Sequence, residues 1–90
     1  MDYPAKTARQ LGAILRAFRR SRGMTQAQLA ARVGLTQKAV SMAETHPERI
    51  GVERLFHLVA ALEVDLVLSD RRARAASRPS GKTRTSQPTW

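Results

Sequence analysis

Gln37, Lys38 and Ser41 are spaced to share one face of a helix, away from Val40, with Met42 at the border of that face. Their chemistry suits the edges of DNA bases. A glutamine amide pairs with adenine, a lysine donates to guanine acceptors or to a phosphate, a serine hydroxyl serves either base type, and a methionine can touch a thymine methyl. Each good base contact is worth roughly 1–3 kcal/mol of discrimination. Thr36 stands just before this face and Thr25 before the preceding helix. As N-caps they turn the open N–H groups of two helix starts outward, where a phosphate can meet them. Gln26, one residue after Thr25, is placed to contact a phosphate while bracing Gln37. Arg16, Arg20, Arg49 and Arg54 are flanking positive charges. The alternative reading of the same residues is a solvated helix face.

Other chemistry finds little footing. His46 sits beside Pro47 in an expected loop and His57 on an expected helix, neither with metal-ligand spacing. Ser41 has no base near it in sequence, and no glycine-rich phosphate loop occurs. No enzyme activity, cofactor or metal is expected. The chain has no cysteine, which excludes disulfides, thiolate chemistry and a zinc finger. Its 90 residues carry a formal net charge of +9. That balance favours a polyanionic partner, nucleic acid first and a membrane surface second. The apolar runs are too short to span a bilayer, and the start of the chain lacks the apolar core of a signal peptide. A cytoplasmic, nucleoid-associated location is expected.

The elements that must hold the polar face are mostly helical. The first helix is expected over residues 7–22, capped by Thr7, with Leu11, Ile14, Leu15 and Phe18 facing inward and Gly23 as a left-handed stop. The second runs from its cap Thr25 to Gly34 and buries Leu29, Ala30 and Val33. Ala30 stands where two helices cross. The third runs from its cap Thr36 to Glu44, with Val40 inward. Pro47 makes residues 45–48 a loop. The fourth helix spans residues 52–63, and its band of Val52, Leu55, Phe56, Leu58, Val59 and Leu62 is wider than one core stripe needs. That width fits either full burial in its own domain or a second face against another subunit.

Residues 64–69 change character. Val64, Leu66 and Leu68 alternate with Asp65, Val67 and Ser69, which suits a strand. A lone strand leaves backbone groups unpaired, so pairing with the same strand of a second copy about a two-fold axis is the economical solution. The alternative is an extended tail lying on the fourth helix. Residues 1–70 thus read as a domain for DNA binding and dimerisation, and residues 71–90 as a basic tail. The tail holds Arg71, Arg72, Arg74, Arg78, Lys82 and Arg84 without an acid, and it is expected to be disordered when free. Trp90 ends it, either as an incidental aromatic or as an anchor for a partner's pocket.

Residues 15–44 resemble the Cro/C1 (Xre-type) helix-turn-helix family. The pattern is Leu15-Arg16, Arg19, Gly23-Met24-Thr25-Gln26, Leu29-Ala30, Val33-Gly34 and Glu44. The resemblance implies a mainly α, four-helix domain. It implies a backbone contact at Gln26, base contacts at Gln37, Lys38, Ser41 and Met42, and a structural pair between Arg19 and Glu44. Ala43 departs from the pattern, where an aromatic or large apolar residue is common, and looser packing at the end of the third helix is expected. A narrower likeness to HipB-type antitoxins rests on residues 37–41, Glu44, residues 46–49, Val52-Glu53, Leu55-Phe56 and residues 61–68. It implies a homodimer paired through the strand, inverted-repeat operators, and a HipA-type serine/threonine kinase toxin held inactive, with Trp90 contributing to toxin contact. A repressor without a toxin is the alternative, and a protein-bridging or RNA-associated factor is a third.

Overall fold

A computed structural model describes residues 3–72. Four α-helices and one 3-10 turn follow in order: α1 (Ala8–Ser21), α2 (Gln26–Val33), α3 (Gln37–Thr45), the turn Pro47–Arg49, and α4 (Val52–Ala61). Three threonines begin the first three helices. Thr7 and Thr25 form full capping boxes with Gln10 and Gln28, and the Thr36 hydroxyl accepts the Ala39 N–H at 3.1 Å. Gly34 ends α2 at φ +71°, a left-handed conformation that a side chain would disfavour, and so sets the short turn into α3.

The core gathers one stripe from each helix. Leu15 comes from α1, Leu29 and Ala30 from α2, Val40 and Ala43 from α3, and Leu58, Val59 and Leu62 from α4 and its cap. Leu11, Phe18, Met24, Val33, Leu35, Leu55 and Val64 pack around them. Removing this apolar surface from water is the main force that fixes α3 against its neighbours.

Several expectations are revised. Ala43 is only 1% exposed, so its small side chain does not loosen the end of α3. The reason lies across the contact: a Cβ on Gly12 of α1 would overlap the Glu44 carbonyl oxygen, so α1 and α3 approach backbone to backbone there. Small residues serve that approach where a large one would prop it open. The expected loop at residues 45–48 instead ends α3 at Thr45 and continues as the 3-10 turn, with Pro47 buried. Helix α4 stops at Ala61, short of residue 63. Glu63 takes φ +61°, and the Val64 N–H returns to the Val59 carbonyl at 2.9 Å, closing the helix end with a non-glycine residue in the left-handed position.

No strand forms among the described residues, and residues 64–70 carry neither helix nor ladder. A strand requires a partner for its backbone groups, and the described residues of one copy offer none. Leu66 and Leu68 are exposed while Val64 packs on the core. The expected tail, with Trp90, lies outside the described residues beyond Arg72. Among the described residues no helix is long and apolar enough to cross a membrane.

Candidate nucleic-acid interface

The interface is built from two helix starts and one helix face. At the start of α3, Thr36 is exposed, its hydroxyl holds Ala39, and the Val40 N–H bonds the Thr36 carbonyl at 3.2 Å. The N–H groups of Gln37 and Lys38 lie ahead of these bonds, in the part of a helix that has no intrahelical acceptor. The start of α2 repeats the arrangement around Thr25 and Gln28, which leaves the N–H groups of Gln26 and Ala27 open. Two N-termini with outward donors therefore flank one turn of chain.

On α3, Gln37 and Lys38 are exposed and Ser41 and Met42 half-buried. Val40 points the other way and is 1% exposed. The side chains named from sequence thus divide into two that stand clear in solvent and two seated at the edge of the face. The backbone carbonyl of Ser41 accepts the Thr45 hydroxyl at 2.9 Å, and the Ser41 hydroxyl makes no hydrogen bond among the described residues.

Gln26 is placed differently from expectation. Its amide does not brace Gln37. It donates through Nε2 to Glu44 Oε1 at 3.1 Å. The Glu44 carboxylate is the strongest nearby acceptor, and it lies on the last turn of α3. The same carboxylate meets Arg19 twice, Nε to Oε2 at 2.6 Å and Nη2 to Oε1 at 3.2 Å. Arg19 also donates to the Met24 carbonyl at 2.7 Å, tying down the α1–α2 turn. The Arg19 and Glu44 side chains are 8% and 3% exposed, so their charges are compensated by one another and by these bonds.

Charge is unevenly spread. From Tyr3 to Ala43 the chain holds Lys6, Arg9, Arg16, Arg19, Arg20, Arg22, Arg32 and Lys38 and no acid. Arg16, Arg20, Arg49 and Arg54 are all exposed. Apart from Asp2, the acids fall later, at Glu44 and beyond. Among them, Glu48 is held below the usual carboxyl range by a hydrogen bond from its own backbone and by His46 and Arg49. Among the described residues no group of acids and histidines could hold a metal ion.

Helix starts and a polar α3 face so arranged are those of a DNA reader, and residues 15–68 match the helix-turn-helix family. The chain belongs to the helix-turn-helix family, in its Cro/C1-type branch. Helix-turn-helix proteins of this kind bind DNA and are not enzymes. The chain is similar to antitoxin HipB of Escherichia coli K12, at 29% identity over 63 residues, 70% of this chain and 72% of that one. Antitoxin HipB of E. coli O6:H1 matches at the same identity and covers 67% of its own length. Among solved structures, a complex of a HipB variant with an O2 20mer aligns with TM-score 0.72 and 27% identity, over 78% of this chain and 97% of that one. A HipA-HipB-O2-O3 complex aligns with TM-score 0.71 and 26% identity, over 77% and 97%.

Sequence reasoning missed three features of this helix-turn-helix domain. The Gln26–Glu44 bond was hidden because residues 26 and 44 lie on different helices. The Gly12 approach had a signal, a glycine in mid-helix on the inward face. Arg22 was unassigned: its Nε donates to the Leu62 carbonyl at 3.0 Å and its guanidinium lies 5.5 Å from the centre of the Phe18 ring, which Tyr3 meets edge-on at 5.1 Å. The Arg22–Leu62 bond fastens the end of α1 to the end of α4.

Proposed function

We propose that the chain is a dimeric, sequence-specific repressor of its own operon and the antitoxin of a HipBA-type pair. Helix α3 enters the major groove. Gln37, Lys38, Ser41 and Met42 meet base edges, and Thr36 and Gln26 meet the phosphate backbone. Two copies related by a two-fold axis place two such helices on an inverted repeat, with half-sites one helical turn or a multiple apart. Residues Val64, Leu66 and Leu68 of the two copies pair as strands and hold the dimer, which supplies the ladder that one copy lacks. The dimer also binds a HipA-type serine/threonine kinase and holds it inactive by contact alone, with Trp90 contributing. The site is cytoplasmic, at the nucleoid.

The observation that carries this reading is the exposed Gln37–Lys38 face at the threonine-capped start of α3. The likeness to HipB over 63 residues supports the antitoxin assignment. A pull-down from native cells, comparing the full chain with one ending at Asp70, tests it. Stoichiometric capture of a kinase, lost on truncation, is expected. Retention of operator DNA with no kinase would move the assignment to a stand-alone repressor.

A further inference from the structure

Among the described residues, one buried polar cluster touches three helices at once. Glu44 on the last turn of α3 accepts from Arg19 of α1 and from Gln26 of α2, while Arg19 reaches the carbonyl of Met24. An ion pair needs only Arg19. The third donor calls for its own account, because α2 does not need the Gln26 side chain: its cap is made by Thr25 and Gln28.

A glutamine amide has two N–H donors and one oxygen. Glu44 takes one N–H, and the carboxylate charge forbids the flipped orientation that would turn the amide oxygen toward it. The second N–H and the amide oxygen make no hydrogen bond among the described residues. They stand on a half-buried side chain at the start of α2, next to the open backbone N–H groups of Gln26 and Ala27. A free glutamine samples several rotamers and loses that freedom on binding. Here a buried acceptor has already fixed the rotamer.

We infer that Glu44 is a positioning residue for DNA binding: it locks the Gln26 amide so that the remaining N–H donates to a backbone phosphate at the start of α2. This rests on the DNA reading of α2 and α3 given above. Glu44 touches no DNA itself. Because the same residue lies on the last turn of α3, one carboxylate sets both the phosphate contact of α2 and the seat of the reading helix. Gln37 then meets its base unbraced by Gln26.

The probe is duplex DNA selected by the full chain from a random pool. Failure to select any sequence would count against the DNA reading itself. On the selected duplex, phosphates are neutralised one at a time as methylphosphonates. Neutralising the contacted phosphate is expected to weaken the wild type about tenfold, the scale of one charge-assisted hydrogen bond. Gln26→Ala should lose the same and become insensitive to that phosphate. Glu44→Asp keeps a carboxylate for Arg19 but withdraws the acceptor from Gln26. It should behave like Gln26→Ala and add nothing when the two are combined. Glu44→Gln retains an oxygen for Gln26 and, where it folds, should retain the phosphate sensitivity. An Asp variant that loses equally in both backgrounds and stays sensitive to the phosphate overturns the inference. So does a folded Gln variant that has lost that sensitivity.

Discussion

The α1–α3 junction and the α4 end of the domain are finished to different degrees. At the junction every charged group has its partner: Arg19, Glu44 and Gln26 close on one another, and Gly12 lets the backbones meet. At the other end, apolar side chains remain in solvent. Val52 is 65% exposed, Phe56 49% and Leu68 95%, with Leu66 and Val67 beside them in sequence. Scattered exposed apolar residues are ordinary, but these share one helix and the segment that follows it. The difference teaches that one copy closes the polar junction on itself, whereas the α4 end leaves apolar surface in solvent, the surface that the proposed dimer would cover. The wide apolar band on α4 divides accordingly, Leu58 and Val59 to the core and Val52 and Phe56 outward.

That contrast can be broken at either end. The largest effect is expected from Arg19→Ala, which leaves the Glu44 carboxylate buried without its ion partner. A loss of about 3–5 kcal/mol in denaturant unfolding is expected. A loss below about 1 kcal/mol, the worth of a surface pair, would show that the junction does not hold the fold. Leu66→Lys comes next and acts on the opposite end. It is expected to turn a dimer into a monomer in sedimentation while leaving the helical signal of each copy intact, because it places an unpaired charge between the paired strands. A stable dimer in this variant would remove strand pairing from the account. Gly12→Ala forces a Cβ into the Glu44 carbonyl, and overpacking of this kind costs about 1–3 kcal/mol. Unchanged unfolding would mean that α1 and α3 separate freely. The smallest effect sharpens the α4 end. Glu63→Gly relieves a left-handed residue and should raise stability by about 0.5–1 kcal/mol, read as a higher denaturant midpoint. A lower midpoint would mean that the Glu63 side chain contributes more than its backbone costs.

Local signals made much of this legible in the sequence. Thr7, Thr25 and Thr36 marked three helix starts and Gly34 a helix end, because caps act over three or four residues and leave their pattern in the chain. The inward residues Leu15, Leu29 and Val40 followed from periodicity, while the band on the fourth helix left open which of its residues face the core. What escaped was long-range. The acceptor chosen by Gln26 depends on where the end of α3 lands, and no spacing within α2 reports that. Ala43 looked like a packing defect because the core that covers it comes from other helices, as does the Gly12 backbone that meets its neighbour Glu44. Residues 64–68 alternate as a strand does, yet alternation states only that a partner would be accepted. It does not supply one, and no ladder forms among the described residues.

The central claim is that the exposed face of α3 reads bases. It is tested most directly by comparing the wild-type chain with Gln37→Ala on the duplex the chain selects and on a scrambled duplex of the same composition. The account predicts a loss of roughly 1–3 kcal/mol on the selected sequence and almost none on the scrambled one. Equal losses on both would contradict it and return Gln37 to a solvated helix face.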